Sequence, residues 1–238
     1  MSGRRIEIPA DSPFFRGHFR GHPIFPGIAH PLLVTHLPIA EIPSLKLRSP
    51  VRPGDVLDAS ATGDDETIRF ELRREGELVS QGTLRTAADW NAPPNFPPLE
   101  NAPSAFPPVA ALLPHEPPAR LLREVLEASA EGLTGIAEIP ADSPFVHAGR
   151  APALLALEAA AQGAAVLEAL SRQDASGPRI GYLVGLRNAR LHTPWLPPEQ
   201  PFRVTVRLTG SAESLSMYEV AIDEIVLGSI STFLVPQA

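Results

Sequence analysis

Apolar and polar positions alternate along six stretches of this chain, and a period of two marks strands half-buried in a sheet. Val56–Thr62, Thr67–Arg73 and Glu77–Thr86 make one set of three; Phe202–Leu208, Ser216–Ile222 and Ile225–Val235 make another. Each set follows a strand-like run that ends on a proline, Leu45-Lys46-Leu47-Arg48-Ser49-Pro50 and Ala189-Arg190-Leu191-His192-Thr193-Pro194. Gly63 and Gly76 punctuate the first set and Gly210 the second. Ahead of each lies an apolar stretch of helical character, Ile28–Leu37 and Ala151–Leu170. The second predicts a long helix from Ala153 to Arg172, rich in Ala, Leu and Glu, with Pro152 near its start and Gly177-Pro178 after its end. The first contains Pro31 and runs into Pro38, so a short or kinked helix is expected there. A helix and several antiparallel strands, met twice, predict an α+β layout in which a sheet wraps over a helix.

The doubling is literal at one place. Glu7-Ile8-Pro9-Ala10-Asp11-Ser12-Pro13-Phe14 returns unchanged as Glu138-Ile139-Pro140-Ala141-Asp142-Ser143-Pro144-Phe145, 131 residues later. Eight consecutive identities exclude coincidence, and a single repeat means a duplication, not a solenoid. Between the copies lies a proline-rich stretch with prolines at 93, 94, 97, 98, 103, 107 and 108. Such a segment favours extended polyproline II and spans roughly 50 Å when stretched, long enough to cross a small domain. The expected organisation is a first half at 1–88, a linker at 89–108 and a second half at 109–238.

Composition narrows the function classes. Hydrophobic residues are 44% and charged residues 20% of 238, ordinary for a folded protein with its own core. With no cysteine, disulfides and thiolate zinc sites are excluded. No apolar run approaches the roughly 20 residues that span a bilayer, and the start lacks the apolar stretch of a signal peptide. A soluble, cytoplasmic protein without a membrane partner is the expectation. A net charge of −7 argues against nucleic acid as a partner.

The run Phe14-Phe15-Arg16-Gly17-His18-Phe19-Arg20-Gly21-His22-Pro23-Ile24-Phe25-Pro26-Gly27 resembles the signature of FabZ- and FabA-type 3-hydroxyacyl-acyl-carrier-protein dehydratases. That family carries Gly-His-Phe followed by a Pro-Gly pair that opens the central helix of a hotdog fold. The resemblance implies that His18 is the catalytic histidine and that Pro26-Gly27 opens the helix; Arg20 stands where the family usually has proline. In the second half, Leu112-Leu113-Pro114-His115 resembles the opening of such enzymes. Glu158-Ala159-Ala160-Ala161-Gln162 resembles the Glu-x-x-x-Gln of their central helix, where the glutamate is the second catalytic residue. The whole is similar to the paired dehydratase subunits of aryl-polyene clusters, ApeI-like and ApeP-like, fused end to end. The fold so implied is a double hotdog: two half-domains forming a pseudodimer, with a continuous antiparallel sheet around central helices.

The halves differ in complementary ways. By the resemblance the acid lies 14 residues after the histidine, which in the first half is Leu32. The 131-residue offset sets Gly149 opposite His18, while Glu158 pairs with Leu32 at an offset of 126, so the second loop is five residues shorter. The first half has a histidine without an acid and the second an acid without a histidine. Hotdog dehydratase dimers build each site from the histidine of one subunit and the acid of the other, so a fused pair can keep one site whole and discard its twin.

Dehydrating a 3-hydroxyacyl thioester to a trans-2-enoyl thioester takes a base for the C2 proton and an acid for the C3 hydroxyl. Histidine suits the base, and a buried carboxyl can serve as the acid. Gln162, four residues after Glu158 on the helix, can orient the carboxyl or face solvent. The resemblance also implies that the Gly27 N–H, at a helix N-terminus, stabilises the negative charge developing on the thioester oxygen. The resemblance implies an acyl carrier protein as partner, and Arg16 and Arg20 either greet its acidic face or belong to a solvated loop. His22 completes His-x-x-x-His with His18, and His30 and His36 follow, but Gly21, Pro23 and Pro31 deny the regular helix such ligation uses. No metal and no cofactor are implied. His147 and His192 read as structural, and Ala159–Ala165 reads as close helix packing. A hotdog thioesterase and a non-catalytic acyl-binding or scaffolding subunit stand as alternatives, and the chain can be a monomeric pseudodimer or a homodimer.

Overall fold

The computed structural model describes residues 2–19, 21–88, 94, 96, 97, 99, 105–172 and 178–235. Arg20, Gly177 and most of the expected proline-rich linker lie outside the described residues. The strands are β1 (Ser2–Glu7), β2 (Ile39–Leu47), β3 (Val56–Gly63), β4 (Thr67–Arg74), β5 (Glu77–Thr86), β6 (Leu122–Ala128), β7 (Gly132–Ala137), β8 (Ala151–Pro152), β9 (Gly181–Leu191), β10 (Trp195–Leu196), β11 (Phe202–Ala212), β12 (Leu215–Ile222) and β13 (Val226–Leu234). A single helical turn, α1 (Val109–Leu112), precedes the long α2 (Leu155–Ser171). Eleven strands form one sheet in the order β1-β3-β4-β5-β2-β9-β13-β12-β11-β7-β6, while β8 and β10 pair apart from it.

The order is a near-palindrome about the β2–β9 junction, with β1, β3, β4, β5 and β2 answered by β7, β11, β12, β13 and β9. Every pairing is antiparallel, and β2 meets β9 with Leu45 opposite Leu186 and Ile42 opposite Ala189. All four are buried to 1% exposure or less. Burying a leucine or isoleucine side chain stabilises by roughly 1.5–3 kcal/mol, so the seam between the halves is core and not a loose contact.

The six alternating runs all form strands, within a few residues of their expected ends. Four more strands, β1, β6, β7 and the two-residue β8, precede α2, and β2 begins at Ile39, well before the expected Leu45. Pro43 explains that difference: proline cannot donate to a ladder and sits inside sheets only at edges or irregularities. Here the β2–β5 register slips between Glu41 and Ser44, which accommodates it. The β4–β5 hairpin turns at Glu75 and Gly76, both at positive φ, the left-handed pair that a two-residue hairpin needs.

The helices depart from each other as their prolines suggested. The first is a 3-10 helix, Gly27–Leu33, with Pro31 inside it. The second is α2, buried around most of its girth, with Leu155, Leu157, Ala159, Ala160 and Val166 all at 2% exposure or less. It packs on β7, β11, β12 and β13. Among the described residues, no helix is long and apolar enough to cross a membrane.

Candidate active site

His18 sits on a tight loop after the 3-10 turn Pro13–Phe15. Its N–H bonds back to Phe15 and its carbonyl accepts from the Ile24 N–H at 2.9 Å. The ring is 5% exposed, and Nδ1 lies 3.1 Å from the Ile24 carbonyl oxygen. A carbonyl only accepts, so Nδ1 carries the proton and Nε2 presents a bare lone pair. Sequence neighbours alone thus set the tautomer that a base requires.

The loop is tied to the second half at Gly17. Its carbonyl accepts from the Glu116 N–H at 3.0 Å, and its φ is +77°. A Cβ at Gly17 would fall 2.1 Å from the Glu116 carbonyl oxygen, so only glycine permits this approach. Alongside, Phe14 packs on Phe145, its repeat counterpart, with ring centroids 4.7 Å apart, and Arg16 pairs with Asp142 at 3.3 Å on the surface.

Glu158 is on the first turn of α2 and 8% exposed. Its Oε1 lies 3.7 Å from His18 Nε2, across the junction of the halves. Gln162 is fully buried, so the solvent-facing alternative falls away. Its Oε1 accepts from the Leu121 and Leu122 N–H groups at 2.8 and 3.1 Å; its Nε2 donates to the Ala119 carbonyl at 2.8 Å and to Glu158 Oε1 at 3.3 Å. Gln162 therefore holds Glu158 rather than lining the cavity.

A third side chain joins them. His115 is 6% exposed, and its Nε2 is 3.5 Å from the same Glu158 oxygen. Its ring meets Phe19 and His18 edge-on, at 4.6 and 5.1 Å between centroids. Its Nδ1 is buried with no hydrogen-bond partner. An orphan N–H costs more than an orphan lone pair, so the neutral ring keeps its proton on Nε2, aimed at Glu158. Burial pushes the His115 imidazole below its ordinary range, opposed by its hydrogen bond to Glu158. For Glu158 burial pushes upward, but the imidazoles of His115 and His18 override it, and the carboxyl is held well below the usual carboxylate range. His115 was not among the expected site residues, although the Leu112-Leu113-Pro114-His115 motif carried the signal.

The three residues form one end of a cavity of about 1030 Å³, part of it open to solvent. Gly27, first residue of the 3-10 helix, lines the same end. Ala161, Ala164 and Ala165 on α2 line the same cavity, with Glu168, Arg179, Tyr182 and Tyr218. The alanine-rich stretch is thus divided: Ala159 and Ala160 pack in the core, while its other side borders the cavity. His30 also lines the cavity, bonded through Nδ1 to Ser80 Oγ at 2.9 Å; burial pushes it down to about 4. His22 and His36 are exposed. His18, His115 and Glu158 are the one set of three among the described residues whose donor atoms are placed to share a metal ion.

Comparison with known proteins agrees on both halves. The model of the ApeP-like family, ApeP dehydratase, matches residues 107–236, more than half of the chain, and that of the ApeI-like family, ApeI dehydratase, matches residues 3–83. The 3-hydroxyacyl-[acyl-carrier-protein] dehydratase FabZ of Geobacter metallireducens is 34% identical over 120 residues, covering 37% of this chain and 78% of the relative. FabZ of Anaeromyxobacter dehalogenans is 36% identical over 100 residues, covering 39% of this chain, and the aligned stretch spans only 64% of that relative's length. Among solved structures, the dehydratase heterocomplex ApeI:P from Xenorhabdus doucetiae matches with TM-score 0.51 and 26% identity, over 56% of this chain and 93% of that one. The dehydratase domain of the polyketide PpsC from Mycobacterium tuberculosis matches with TM-score 0.67 and 15% identity, over 99% of this chain and 93% of that one. At that identity the likeness concerns the fold alone, and the fold is the double hotdog, as expected.

Proposed function

Since this chain belongs to the ApeP-like dehydratase family, we propose that it is a hydro-lyase that dehydrates 3-hydroxyacyl thioesters to trans-2-enoyl thioesters. In this reading the substrate rides on an acyl carrier protein in the cytoplasm, in fatty-acid-like or polyene biosynthesis. One chain supplies a complete site, built between a half at 1–88 and a half at 109–238. The observation that carries the proposal is the approach of His18 Nε2 to Glu158 Oε1 across the β2–β9 halves, at the buried end of a cavity lined by apolar groups.

The roles follow from the lone pairs. His18 Nε2 takes the C2 proton, and the electrons of that C–H bond form the double bond as C3–O breaks. The leaving hydroxyl takes its proton from Glu158 and departs as water. The histidine then holds one proton too many and Glu158 one too few, and the water just released carries the proton from Nε2 back to Oε2. Gly27, which lines the cavity, supplies the N–H that stabilises the charge the thioester oxygen gains. Gln162 and His115 both point N–H groups at Oε1, so the acid proton belongs on Oε2, which is left to the substrate. Because the empty site favours ionised Glu158, substrate must displace the remaining water and restore the burial effect before the carboxyl can act as an acid.

The test is mass spectrometry of carrier-bound 3-hydroxyacyl groups of several lengths after incubation with the protein. Loss of one water, abolished by His18→Ala and by Glu158→Gln in variants with unchanged circular dichroism, is expected. Wild-type speed in either variant overturns the mechanism. Free acid as product would make the protein a thioesterase, and binding without turnover would make it an acyl-binding subunit.

A further inference from the structure

The buried end of the cavity gathers three atoms that can each offer a lone pair: His18 Nε2, His115 Nε2 and Glu158 Oε1. Oε1 is 3.7 Å from the first and 3.5 Å from the second, and the three donor positions lie within 4.8 Å of one another. All three residues are at least nine-tenths buried. In the empty site the His115 proton on Nε2 faces Oε1, while His18 Nε2 and Oε1 meet lone pair to lone pair and repel unless something positive sits between them; a metal on His115 Nε2 moves that ring's proton to the partnerless Nδ1.

A proton can fill that role for one pair of atoms at a time. A divalent cation fills it for all three at once. Zinc bonded to histidine nitrogen and carboxylate oxygen at 2.0–2.2 Å sets neighbouring ligand atoms roughly 3.3 Å apart in a tetrahedron. The two edges that share Oε1 are within a few tenths of an ångström of that. The supports that hold ligands elsewhere are also present. His18 gives its other N–H to the Ile24 carbonyl, as metal-bound histidines do, and Gln162 Nε2 steadies the carboxylate. Two neutral imidazoles and one carboxylate carry a charge of −1, which a dication more than balances. This donor set favours zinc over magnesium or calcium, which take oxygen ligands.

We propose that His18, His115 and Glu158 form a Zn²⁺ site whose fourth position opens to the cavity, and that its occupation shuts the enzyme off. The ion takes the lone pair of His18 that accepts the C2 proton and the carboxylate that supplies the acid. Binding rests on the geometry alone; inhibition rests also on the dehydratase reading. The residues come from both halves of the chain, so the site exists only in the assembled fold.

The experiment is calorimetric titration of the full chain, stripped of metal, with ZnCl₂ and separately with MgCl₂. One Zn²⁺ per chain is expected, with no heat from magnesium and a raised melting temperature with zinc. His115→Leu and Glu158→Gln should each weaken zinc binding at least about 100-fold. His115→Asn, smaller and polar, replaces the leucine variant if that fails to fold. X-ray absorption at the zinc edge should report two imidazoles among nitrogen and oxygen ligands at about 2.0 Å. Absence of binding up to millimolar zinc, or binding untouched by both substitutions, overturns the site. Binding seen without substrate stands even if no dehydration is ever detected. Dehydration that proceeds at full rate with the site saturated overturns the inhibitory half, whereas inhibition reversed by a chelator supports it.

Discussion

The two halves share a sheet and disagree about a site. Five strands of the first half reappear in mirrored order in the second, and the halves meet in register at β2 and β9. Their helices have diverged: seven residues of 3-10 helix broken by Pro31 on one side, seventeen residues of α2 on the other. The difference teaches which parts a duplicated fold must keep. The halves join edge to edge at β2 and β9, and the strands of the second half cover α2, so loss of a strand would expose core. The histidine loop and the acidic turn are needed only once for each site. The first half kept the loop and let its helix shorten; the second kept the helix and lost the loop.

The largest effect that can test this division is a failure of rescue. His18→Ala and Glu158→Gln each cost roughly 10²–10⁴-fold in rate, the usual worth of a positioned acid or base. Mixing the two inactive proteins should restore nothing, because each chain closes its own site between its own halves. Recovery approaching about a quarter of the wild-type rate in an equal mixture, the statistical yield of intact sites, would mean that halves exchange between chains and that the fused pair is not self-sufficient.

The joint comes next. Gly17 is where the histidine loop touches the second half, in a backbone conformation that costs other residues about 1–3 kcal/mol. Gly17→Ala adds a clash with the Glu116 carbonyl, so a loss of about 3 kcal/mol is expected by urea unfolding, with activity falling further than stability. Its counterpart by the 131-residue offset is Ala148, already at positive φ without a glycine. Ala148→Gly should therefore stabilise slightly. Equal losses at both positions would remove the asymmetry.

Much of this was legible in the chain. The repeated octapeptide and the alternating runs marked two copies and most of their strands, and the resemblance to FabZ-type enzymes, read with the 126-against-131 offset, singled out His18 and Glu158. Three features were not legible, each for a physical reason. The beginning of β2 was hidden because Pro43 contradicts a central strand unless the register slips. Strands β6 and β7 are short, and Gly132 and Gly135 interrupt the apolar pattern of β7. His115 was hidden because it lies 43 residues before Glu158, and only the turn of chain through Ala119 to Leu122, hung on Gln162, brings it back. Spacing can reveal partners on one helix; it does not reveal partners delivered by a loop.

A smaller contrast concerns titration. His30 and its counterpart at the 126-residue offset, Ala156, are both buried in the helices of their halves, but only one can take a proton. Burial lowers His30 from 6.5 to about 4, so between those values the unfolded chain binds a proton that the folded one refuses. Stability is therefore lost as pH falls through that window, by about 3 kcal/mol for a shift of this size. His115 adds to the slope in the same direction, so the informative quantity is a difference. His30→Gln, which can keep a bond to Ser80, should flatten the decline in urea midpoint between pH 7 and pH 4.5. An unchanged slope would move the acid sensitivity elsewhere.

The smallest expected effect is none at all. If the second site decayed only by losing its reacting groups, Leu32→Glu with Gly149→His should rebuild it in a His18→Ala background. We expect no recovered dehydration by mass spectrometry. Gly149 is exposed at φ +73°, a conformation a histidine adopts only under strain, and its loop is five residues shorter than the one that delivers His18. A glutamate at 32 would follow Pro31 on a 3-10 helix, without the buried glutamine four residues on that steadies Glu158, since that position is His36 and exposed. The missing site lacks its loop and its support as well as its acid and base. Turnover above the His18→Ala background would show instead that the scaffold on both sides of the seam is still intact, and that chemistry was lost before architecture.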